Sequence, residues 1–344
     1  MKKLLMLSSS YPIHPRLEKV SRNIDAESFG VCAWNRGGFL PGTDEHDFVY
    51  NCPIGYKSKL YKILYFLLFA VHFRRTIKIF SPDIVVCRYW DMFVLASLVC
   101  PSKIKIVYDV CDMPSSFIVR LLERLFLKRA NEVYISSRFF QPFYSNLKNI
   151  TLFENKPDVS MFAQLPGRKG KIDGDNKNNP INLVFLGKVR YYKIMVNAIE
   201  ACRDFDSELF FSIYGDGPDL DALKAYVCQN EIRNVEFHGR YDYKNIAHIY
   251  SVADLIWAAY DSNVDNVKYA ISNKFFESIF FKIPGIYSKN TKLGSFVEKE
   301  GIGFTVEEGS IESIKEQFRF LISNRQRLND VSECLHKNES KLLT

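Results

Sequence analysis

Apolar and polar positions follow the same order in both halves of this chain. Continuous apolar runs, typical of strands buried on both faces, alternate with longer stretches whose apolar residues recur at helical spacing. The apolar runs cover residues 4–9, 31–34, 83–87, 105–110 and 132–136, then 181–186, 209–214, 235–238, 253–258 and 302–306. Helical spacing covers residues 16–26, 92–99 and 117–130, then 219–227, 243–251, 272–283 and 311–328, with Gly30 predicted to end the first helix.

This order of strand, helix and strand predicts parallel sheets, in which ligands bind at the carboxyl ends of the strands. Its repetition predicts an α/β fold with two Rossmann-like, doubly wound domains that face a central cleft. We expect these domains at residues 1–164 and 181–328. Residues 165–180 are rich in Gly, Lys, Asp and Asn and are predicted to be the linker. Residues 329–344 are expected to form a tail that can return to the N-terminal domain.

The stretch 269–284 departs most clearly from a pattern explained by packing alone. Ser272 and Asn273 are residue types that cap helices by accepting backbone N–H bonds, and Pro284 stops the helix. Asn273 and Lys274 lie at the helix start, where free N–H groups and the helix dipole favour an anion. Glu277 lies one turn further and can accept hydrogen bonds from a vicinal diol such as a ribose. The alternative is a surface turn with a solvated glutamate.

Two glycine turns follow predicted strands of the second half. Gly187 is followed by three cations, Lys188, Arg190 and Lys193, and such a turn lets the backbone approach a diphosphate while the cations neutralise it. Gly215 and Gly217 form the second turn. Because carboxyl ends of parallel strands meet at one edge, both turns and the helix start near Asn273 are expected to line one nucleoside-diphosphate site. An ordinary basic surface loop and structural glycines are the alternatives, and no P-loop motif is present.

Composition and charge narrow the possible partners. The chain has 46 Lys and Arg against 39 Asp and Glu, which gives a net charge of +7 and fits a nucleic acid, an anionic membrane or a phosphorylated ligand. No zinc-finger spacing, basic zipper or aromatic RNA-binding signature occurs, so no nucleic-acid partner is expected. The eight cysteines include no Cys-x-x-Cys pair and are interpreted as reduced residues of a cytoplasmic protein. The apolar start lacks a small-residue cleavage site and is interpreted as the first strand.

Residues 57–80 contain a nearly unbroken apolar run at 63–73 between basic residues. Lys57, Lys59 and Lys62 precede the run, and Arg74, Arg75 and Lys78 follow it. The run is shorter than the roughly 20 residues that span a bilayer. A buried core helix is one interpretation. The other is a helix that lies in an anionic membrane surface, with its bases at the headgroups.

Pairs of aspartates do not form a convincing metal site. The pairs are Asp173 and Asp175, Asp204 and Asp206, and Asp219 and Asp221, which lie in the predicted linker, before a strand and in a first helical turn. No metal or other cofactor is therefore expected. In the first half, Tyr11 and Arg16 follow the first strand and Asp112 follows the strand at 105–110, so all three are expected at the ligand edge. A solvated helix face and an N-capping Asp are the alternatives for Arg16 and Asp112.

Six segments together resemble the GT-B glycosyltransferases of family 4 type, especially the sugar-polymer enzymes of bacterial capsules. Residues 185–193 resemble the Gly-Arg…Lys-Gly loop, with Lys188 and Lys193 at the spacing of its two diphosphate-binding cations. The other segments are the Gly-x-Gly-Pro turn at 214–218, the landmarks at 235–239 and 253–254, the Asn-Lys-x-Phe-Glu variant of the Glu-x7-Glu segment at 269–277, and the loop at 12–19. The chain departs from the family pattern at four places. Tyr269 stands where the Glu-x7-Glu segment has its first Glu, and Ile194 stands where the Gly-Arg…Lys-Gly loop has its last Gly. Residues 8–10 replace a glycine pair, and Cys111 replaces a His that touches the sugar.

The resemblance implies an EC 2.4 transferase that moves a sugar from a nucleoside-diphosphate donor to a glycan acceptor, expected to be lipid-linked, in cell-surface polysaccharide biosynthesis. It implies a retaining, metal-independent enzyme, which we expect to be cytoplasmic and peripheral on the inner membrane face. Donor-binding residues are then Gly187, Lys188, Arg190, Lys193, Gly215, Gly217, Tyr269, Asn273, Lys274 and Glu277. Catalytic residues are Lys193, Arg190 and Asp112, and acceptor-binding residues are Tyr11 and Arg16.

Two alternatives stay open from the sequence. A nucleotide-sugar epimerase on the same fold would need acid and base residues that face the donor sugar, and no convincing set is found. A non-catalytic GT-B subunit would bind a nucleotide or a partner only. Tyr269 and Cys111 favour that second alternative, whereas the intact Lys193 and Glu277 favour an enzyme.

Overall fold

The computed structural model describes residues 2–40, 46–53, 59–114, 116–157 and 179–343, with the backbone alone for 59–62. The chain divides into two compact units, Met1–Glu154 and Asn155–Thr344. Most of the segment predicted as a linker lies outside the described residues, and the expected domain limits stay predictions. Each unit consists of a parallel sheet with helices on its faces, so the predicted α/β fold with two doubly wound sheets is confirmed.

The first unit has a seven-stranded sheet in the order β3-β2-β1-β4-β5-β6-β7, and every pair of neighbours is parallel. Its strands are β1 (Lys3–Ser8), β2 (Ser28–Asn35), β3 (Asp47–Asn51), β4 (Ile84–Arg88), β5 (Lys105–Val110), β6 (Glu132–Ile135) and β7 (Ile150–Leu152). Its helices are α1 (Pro15–Arg22), α2 (Lys59–Phe80), α3 (Tyr89–Val99), α4 (Phe117–Phe126) and α5 (Gln141–Tyr144). The central strands are buried because helices cover both faces of the sheet.

The second unit has a six-stranded parallel sheet in the order β10-β9-β8-β11-β12-β13. Its strands are β8 (Ile181–Leu186), β9 (Leu209–Tyr214), β10 (Val235–Gly239), β11 (Leu255–Ala258), β12 (Gly285–Ser288) and β13 (Phe304–Val306). Its helices are α6 (Tyr192–Arg203), α7 (Leu220–Gln229), α8 (Ile246–Ser251), α9 (Asp265–Tyr269), α10 (Asn273–Phe281), α11 (Lys292–Glu300), α12 (Ile311–Ser323) and α13 (Gln326–Leu343).

Strand order reverses once in each sheet, and this reversal locates the two sites. In the first sheet the chain goes from β1 outward to β3 and then returns to β4, so β1 and β4 are neighbours at the switch. In the second sheet β8 and β11 are the corresponding neighbours. Crevices that bind ligands in such sheets form outside the carboxyl ends of these strand pairs.

Several predicted element boundaries are wrong for identifiable reasons. Gly30 lies inside β2 rather than at a helix end. A Cβ there would come within 3.0 Å of the Phe80 ring, so close packing accounts for the glycine. The predicted helix at 311–328 is two helices, since the backbone leaves helical geometry at Asn324 (φ −128°, ψ 55°) and α13 begins at Gln326. Sequence patterns did not reveal β3, α9 or α11.

The helix α13 packs on α10 within the second unit. The Ser332 hydroxyl donates to the Lys282 carbonyl oxygen at 2.7 Å, and the Lys282 ammonium pairs with Glu339. Lys282 caps α10 in the left-handed region, with φ 60°. The end of α10 is therefore stabilised by α13, while the predicted return of residues 329–344 to the first domain stays a prediction.

The helix α2 is buried on one side only. Phe69 and Phe73 are fully buried and Phe80 is nearly so, but Ile63 and Leu67 are 60% and 58% exposed. Neither a fully buried core helix nor a fully solvated one describes this element. Among the residues that the structure describes, the helices are too short or too polar to cross a membrane.

Candidate active site

Two glycine turns interlock at the carboxyl ends of β8 and β9. Gly187 and Gly215 have φ 133° and 138°, a region that side chains rarely adopt. A Cβ on Gly215 would lie 1.7 Å from the carbonyl oxygen of Gly187, and a Cβ on Gly217 would lie 2.0 Å from that of Val189. The turns contact each other through backbone alone, so these three positions require glycine.

The three predicted cations project from the first of these turns. Lys188, Arg190 and Lys193 are exposed, whereas Val189 between them is fully buried. The Val189 N–H donates to the Asp216 carbonyl oxygen at 3.0 Å, which fixes the turn against its neighbour. The Arg190 guanidinium carbon lies 4.9 Å from the centre of the Tyr191 ring. The structure thus brings these cations to the carboxyl edge of the sheet, with the loop backbone held rigidly.

Lys274 brings a fourth cation to the same edge from α10. Its Nζ lies 5.4 Å from the centre of the Phe185 ring and 5.8 Å from that of the Tyr260 ring. A Cβ on Gly187 would lie 2.8 Å from this Nζ, so the ammonium contacts the glycine turn directly. Burial lowers the pKa of Lys274, but Tyr260 and Glu277 outweigh this effect and the pKa is raised. The ammonium therefore stays charged beside β8 and β11, at the topological switch.

Glu277 is 5% exposed, so the alternative of a solvated glutamate is wrong. The Tyr250 hydroxyl donates to its Oε2 at 2.7 Å, and the Tyr243 hydroxyl approaches its Oε1 at 3.4 Å. Burial raises the pKa of Glu277, although Lys274 and Tyr250 oppose the shift. The two tyrosines hold the carboxylate in place, and neither was singled out by a sequence pattern. The predicted contact with a ribose stays a prediction.

The start of α10 differs in detail from the expected cap. Ser272 has the extended backbone of an N-cap, but its Oγ is buried without a hydrogen-bond partner, so the expected side-chain cap is wrong. The Phe275 N–H donates instead to the Ser272 carbonyl oxygen at 3.0 Å. Asn273 is exposed and its Oδ1 accepts from Asn155 Nδ2 at 2.8 Å. Tyr269 is half-buried at the end of α9.

In the first unit, Arg16 is buried against Asp109. Arg16 Nε lies 3.1 and 3.0 Å from the two carboxylate oxygens, and Nη2 lies 2.7 Å from Oδ1. The two residues are 3% and 0% exposed. Asp109 was not predicted, although a carboxylate near the end of an apolar strand was a usable signal. Two of the three guanidinium nitrogens of Arg16, which is expected to bind an acceptor, therefore bind Asp109 inside the protein.

Asp109 is also linked to Arg88 through Cys111. The Cys111 thiol donates to Asp109 Oδ2 at 2.9 Å and accepts from Arg88 Nε at 2.8 Å. Burial, and then the charge of Asp109, raise the pKa of this thiol, so it is neutral. Asp112, the predicted catalytic carboxylate, is exposed, and Tyr11 is half-buried against the core of the unit. Within the described residues, no group of three His, Cys, Asp or Glu could hold a metal ion.

Comparison with known proteins places this geometry in context. Residues 169–336 match the family model described as Glycosyl transferases group 1. No curated protein matches the sequence. Among solved structures, "Sucrose-phosphate synthase (tll1590) from Thermosynechococcus elongatus" is similar, with a TM-score of 0.72 and 12% identity over 100% of this chain and 95% of that chain.

Two further structures cover nearly the whole chain. Anabaena Alr3699/HepE in complex with UDP gives a TM-score of 0.69 and 14% identity over 99% of this chain and 95% of its own. WaaG, described as a glycosyltransferase involved in lipopolysaccharide biosynthesis, gives 0.66 and 12% over 98% and 95%. These neighbours show the GT-B fold that the sequence predicted. The match of residues 169–336 to the glycosyltransferase family model confirms the prediction of an enzyme of the glycosyltransferase class.

Proposed function

We propose that this GT-B glycosyltransferase moves a sugar from a nucleoside-diphosphate donor to a glycan carried on a lipid diphosphate. The part of this proposal that concerns donor binding rests on the arrangement of residues at the carboxyl edge of the second sheet. There a backbone-only contact between Gly187 and Gly215 leaves room for phosphates, and Lys274 with the exposed Lys188, Arg190 and Lys193 supplies positive charge. Such an arrangement suits a diphosphate better than an uncharged ligand.

In this proposal the leaving diphosphate is stabilised by fixed positive charge. Arg190 and Lys193 neutralise the charge that develops as the sugar–oxygen bond breaks, which is the electrostatic contribution that usually dominates catalysis. Glu277 accepts hydrogen bonds from the ribose, with Asn273 and Tyr269 near the phosphates or sugar. Four cations at one edge make a metal ion unnecessary, and we propose retention of anomeric configuration as the resemblance implies. Asp112 and Tyr11 are the first-unit residues proposed to face the acceptor.

One structural neighbour makes UDP the first donor nucleotide to try. The Anabaena protein is described in complex with UDP and also with UDP and glucose. For this chain we propose a uridine nucleotide as the first candidate, because the resemblance covers the turns that would hold its diphosphate. The sugar itself is left open by these residues.

The acceptor half of the proposal rests on apolar surfaces of the first unit. A stripe on α2 and a stripe on α4 are 45–60% and 50–79% exposed. The first contains Ile63, Leu64, Leu67, Leu68 and Val71, and the second contains Phe117, Ile118, Leu121 and Leu125. Arg74, Arg75 and Lys78 follow the first stripe along α2. Arg124 lies within the second stripe, and Lys128 lies just after α4. Apolar stripes with basic neighbours suit an anionic membrane surface, where a lipid-linked acceptor in cell-surface polysaccharide synthesis would be met.

A non-catalytic subunit is the second candidate, favoured by one specific observation. Cys111 replaces a His that touches the sugar in many relatives, and its sulfur is held between Asp109 and Arg88. A subunit of this kind would bind the nucleotide without turning it over with any acceptor.

Thermal unfolding with UDP, GDP, CMP and ADP tests the donor site. A nucleotide that binds only the folded protein stabilises it by about 2.7 kcal/mol at roughly 100 times its Kd. We expect one nucleoside diphosphate to raise the melting temperature of the wild type, and Glu277→Ala and Lys193→Ala to lose the effect. Lys299→Ala, which removes an exposed lysine from the far end of α11, should retain it.

Two outcomes separate the candidates. If none of the four nucleotides binds, or if the Glu277 and Lys193 variants respond like the wild type, the proposed donor site is wrong. Binding without turnover of the matching sugar nucleotide, in the presence of native membrane lipids as acceptor, would favour the non-catalytic subunit.

A further inference from the structure

A second cationic position lies at the carboxyl edge of the first sheet, in the unit that does not carry the donor turns. Arg88 ends β4, and Arg16 stands in the first turn of α1, which follows β1. Because β1 and β4 are the neighbours between which the strand order reverses, both guanidinium groups lie at the topological switch of this sheet. Both also act on the pKa values of His14 and Cys111, so they share one small region.

Arg16 leaves one donor group unused in this region. Nε and Nη2 are bound to Asp109, whereas Nη1 is buried and has no hydrogen-bond partner. Leaving a buried donor unpaired is unfavourable, and native proteins keep such groups where a water or a ligand satisfies them. Nη1 is therefore available to a ligand that enters the β1–β4 crevice.

Arg88 is the more available of the two cations. Its Nε donates to the neutral Cys111 thiol, and its guanidinium carbon lies 4.4 Å from the centre of the Tyr89 ring. Among the residues that the structure describes, its two terminal nitrogens have no hydrogen-bond partner and it forms no ion pair. Tyr89 holds φ 67°, a left-handed conformation that is unusual for a bulky residue. The backbone is thus strained at the residue that stacks against this guanidinium, as is common at ligand sites.

The buried groups around Arg88 carry no net negative charge that would neutralise it. Asp109 is already paired with Arg16, and Cys111 is a neutral thiol. His14 Nδ1 accepts from the Arg16 backbone N–H at 3.2 Å, and desolvation, together with the charges of Arg88 and Arg16, lowers the pKa of His14 to about 4, so its ring is also neutral. The remaining carboxylate that acts on Tyr89 from nearby is Asp112, which is exposed to solvent.

We infer that Arg88, with Nη1 of Arg16 beside it, binds the diphosphate of a lipid-diphosphate acceptor. A planar guanidinium whose two terminal nitrogens are unpaired matches phosphate oxygens in a bidentate manner. The inference rests on the proposed function for the identity of the lipid-linked acceptor. The chemistry it requires is an anionic phosphate at the first unit, separate from the nucleotide phosphates of the second unit.

Isothermal titration of the full chain with geranyl diphosphate tests this inference. We expect the wild type to bind this probe and Arg88→Gln to bind it about tenfold or more weakly, the loss typical of a charge-assisted hydrogen bond. Arg88→Lys should fall between the two, because it keeps the charge without the fork. Arg22→Gln, the same change at an exposed arginine of α1, should bind within about twofold of the wild type.

A further variant and a further ligand separate this site from the donor site and from non-specific hydrophobic binding. Lys193→Gln should keep its affinity for geranyl diphosphate while it loses the nucleoside diphosphate, and geraniol without phosphates should bind all proteins equally weakly. No binding by the wild type, equal binding by Arg88→Gln, or loss of binding in Lys193→Gln would each overturn the inference. Failure of every nucleotide to bind, with the Arg88 effect intact, would instead contradict the proposed function.

Discussion

At the scale of single residues, Glu277 places an ionisable carboxyl in a buried position of the second unit. Its pKa is raised above the ordinary value, first by burial, so the folded protein binds this proton more tightly than the unfolded chain does. The free energy of unfolding therefore falls as the pH rises through the raised pKa. A carboxylate kept at this cost, with two tyrosines around it, is consistent with a ligand-binding role.

Glu277→Gln should remove this pH dependence. The variant mimics the protonated carboxyl. Its melting temperature, relative to that of the wild type, should therefore increase as the pH increases from about 5 to 8. Below the ordinary pKa of glutamate the two proteins should melt alike. Thermal unfolding at several pH values, without nucleotide, measures the difference.

Glu316→Gln is the matched control, because Glu316 is an exposed glutamate of α12. Its difference from the wild type should not change with pH in the same way. A Glu277→Gln variant that loses stability relative to the wild type as the pH rises would contradict the raised pKa of Glu277.

Single-residue chemistry was only partly predictable from the sequence. Lys274 and Glu277 were identified because packing alone does not explain charged residues in the first turns of a helix that is otherwise apolar. Asp109 did not stand out, since it lies within a strand and its partner Arg16 is 93 positions away. Pairs of this kind are set by the order of the strands in the sheet, which a pattern along one segment does not contain.

At the scale of elements, the interlocked glycine turns are the most constrained feature. Gly215→Ala places a Cβ against the Gly187 carbonyl oxygen and forces a positive φ on alanine. We expect a loss of about 1–3 kcal/mol from backbone strain, with a further loss of about 1–3 kcal/mol from overpacking. Urea unfolding of the full chain, followed by tryptophan fluorescence in a background that keeps Trp257 and replaces Trp34 and Trp90 by Phe, measures the loss in the second unit.

Gly309→Ala provides the comparison at a glycine with open space around it. No atom lies within 4 Å of the Cβ position at Gly309. The free energy of unfolding should change by no more than about 0.5 kcal/mol, as for most surface substitutions. If Gly215→Ala loses no more unfolding free energy than Gly309→Ala, the glycine turns can accommodate a Cβ. Their backbone contact then does not define the site.

Elements with a continuous apolar pattern were predicted well. The strands β5, β8 and β9 were predicted with the observed bounds, because each is a mainly buried apolar run, and Gly187 and Gly215 directly follow β8 and β9. The edge strand β3 was missed, since its half-exposed residues carry no such pattern. The division between α12 and α13 was missed because the apolar spacing continues across it, while the backbone turns at Asn324.

At the scale of the whole molecule, we propose adsorption to anionic bilayers from a net charge of +7 and two apolar stripes on one unit. The helices α2 and α4 both pack against α3, so their stripes lie on the same side of the first sheet. Burial of one large apolar side chain contributes about 1.5–3 kcal/mol. Several of them together with basic neighbours would hold the protein at a membrane without a spanning helix.

Sedimentation with phosphatidylglycerol-containing vesicles measures this adsorption. Leu67→Glu and Phe117→Glu should each weaken binding by about tenfold or more, because each removes apolar burial and adds a like charge. Phe320→Glu, at an exposed phenylalanine of α12 in the second unit, should bind like the wild type. Binding should also weaken as salt screens the headgroup charge.

Equal binding by all three variants would contradict an apolar contact through α2 and α4. Loss of binding for Leu67→Glu alone would restrict the contact to α2, the helix whose sequence suggested it. Binding that is unaffected by salt would leave the basic residues without a role at the membrane.

The contact between α13 and α10 has a consequence for synthesis of the chain. All the proposed donor-site residues, up to Glu277, leave the ribosome before the helix that supports the end of α10. Leu343 comes 66 positions after Glu277, and translating these residues takes roughly 3–13 s at about 5–20 residues per second. During that interval the nascent chain contains the donor-site residues and α10, but not yet the helix that contacts the carboxyl end of α10.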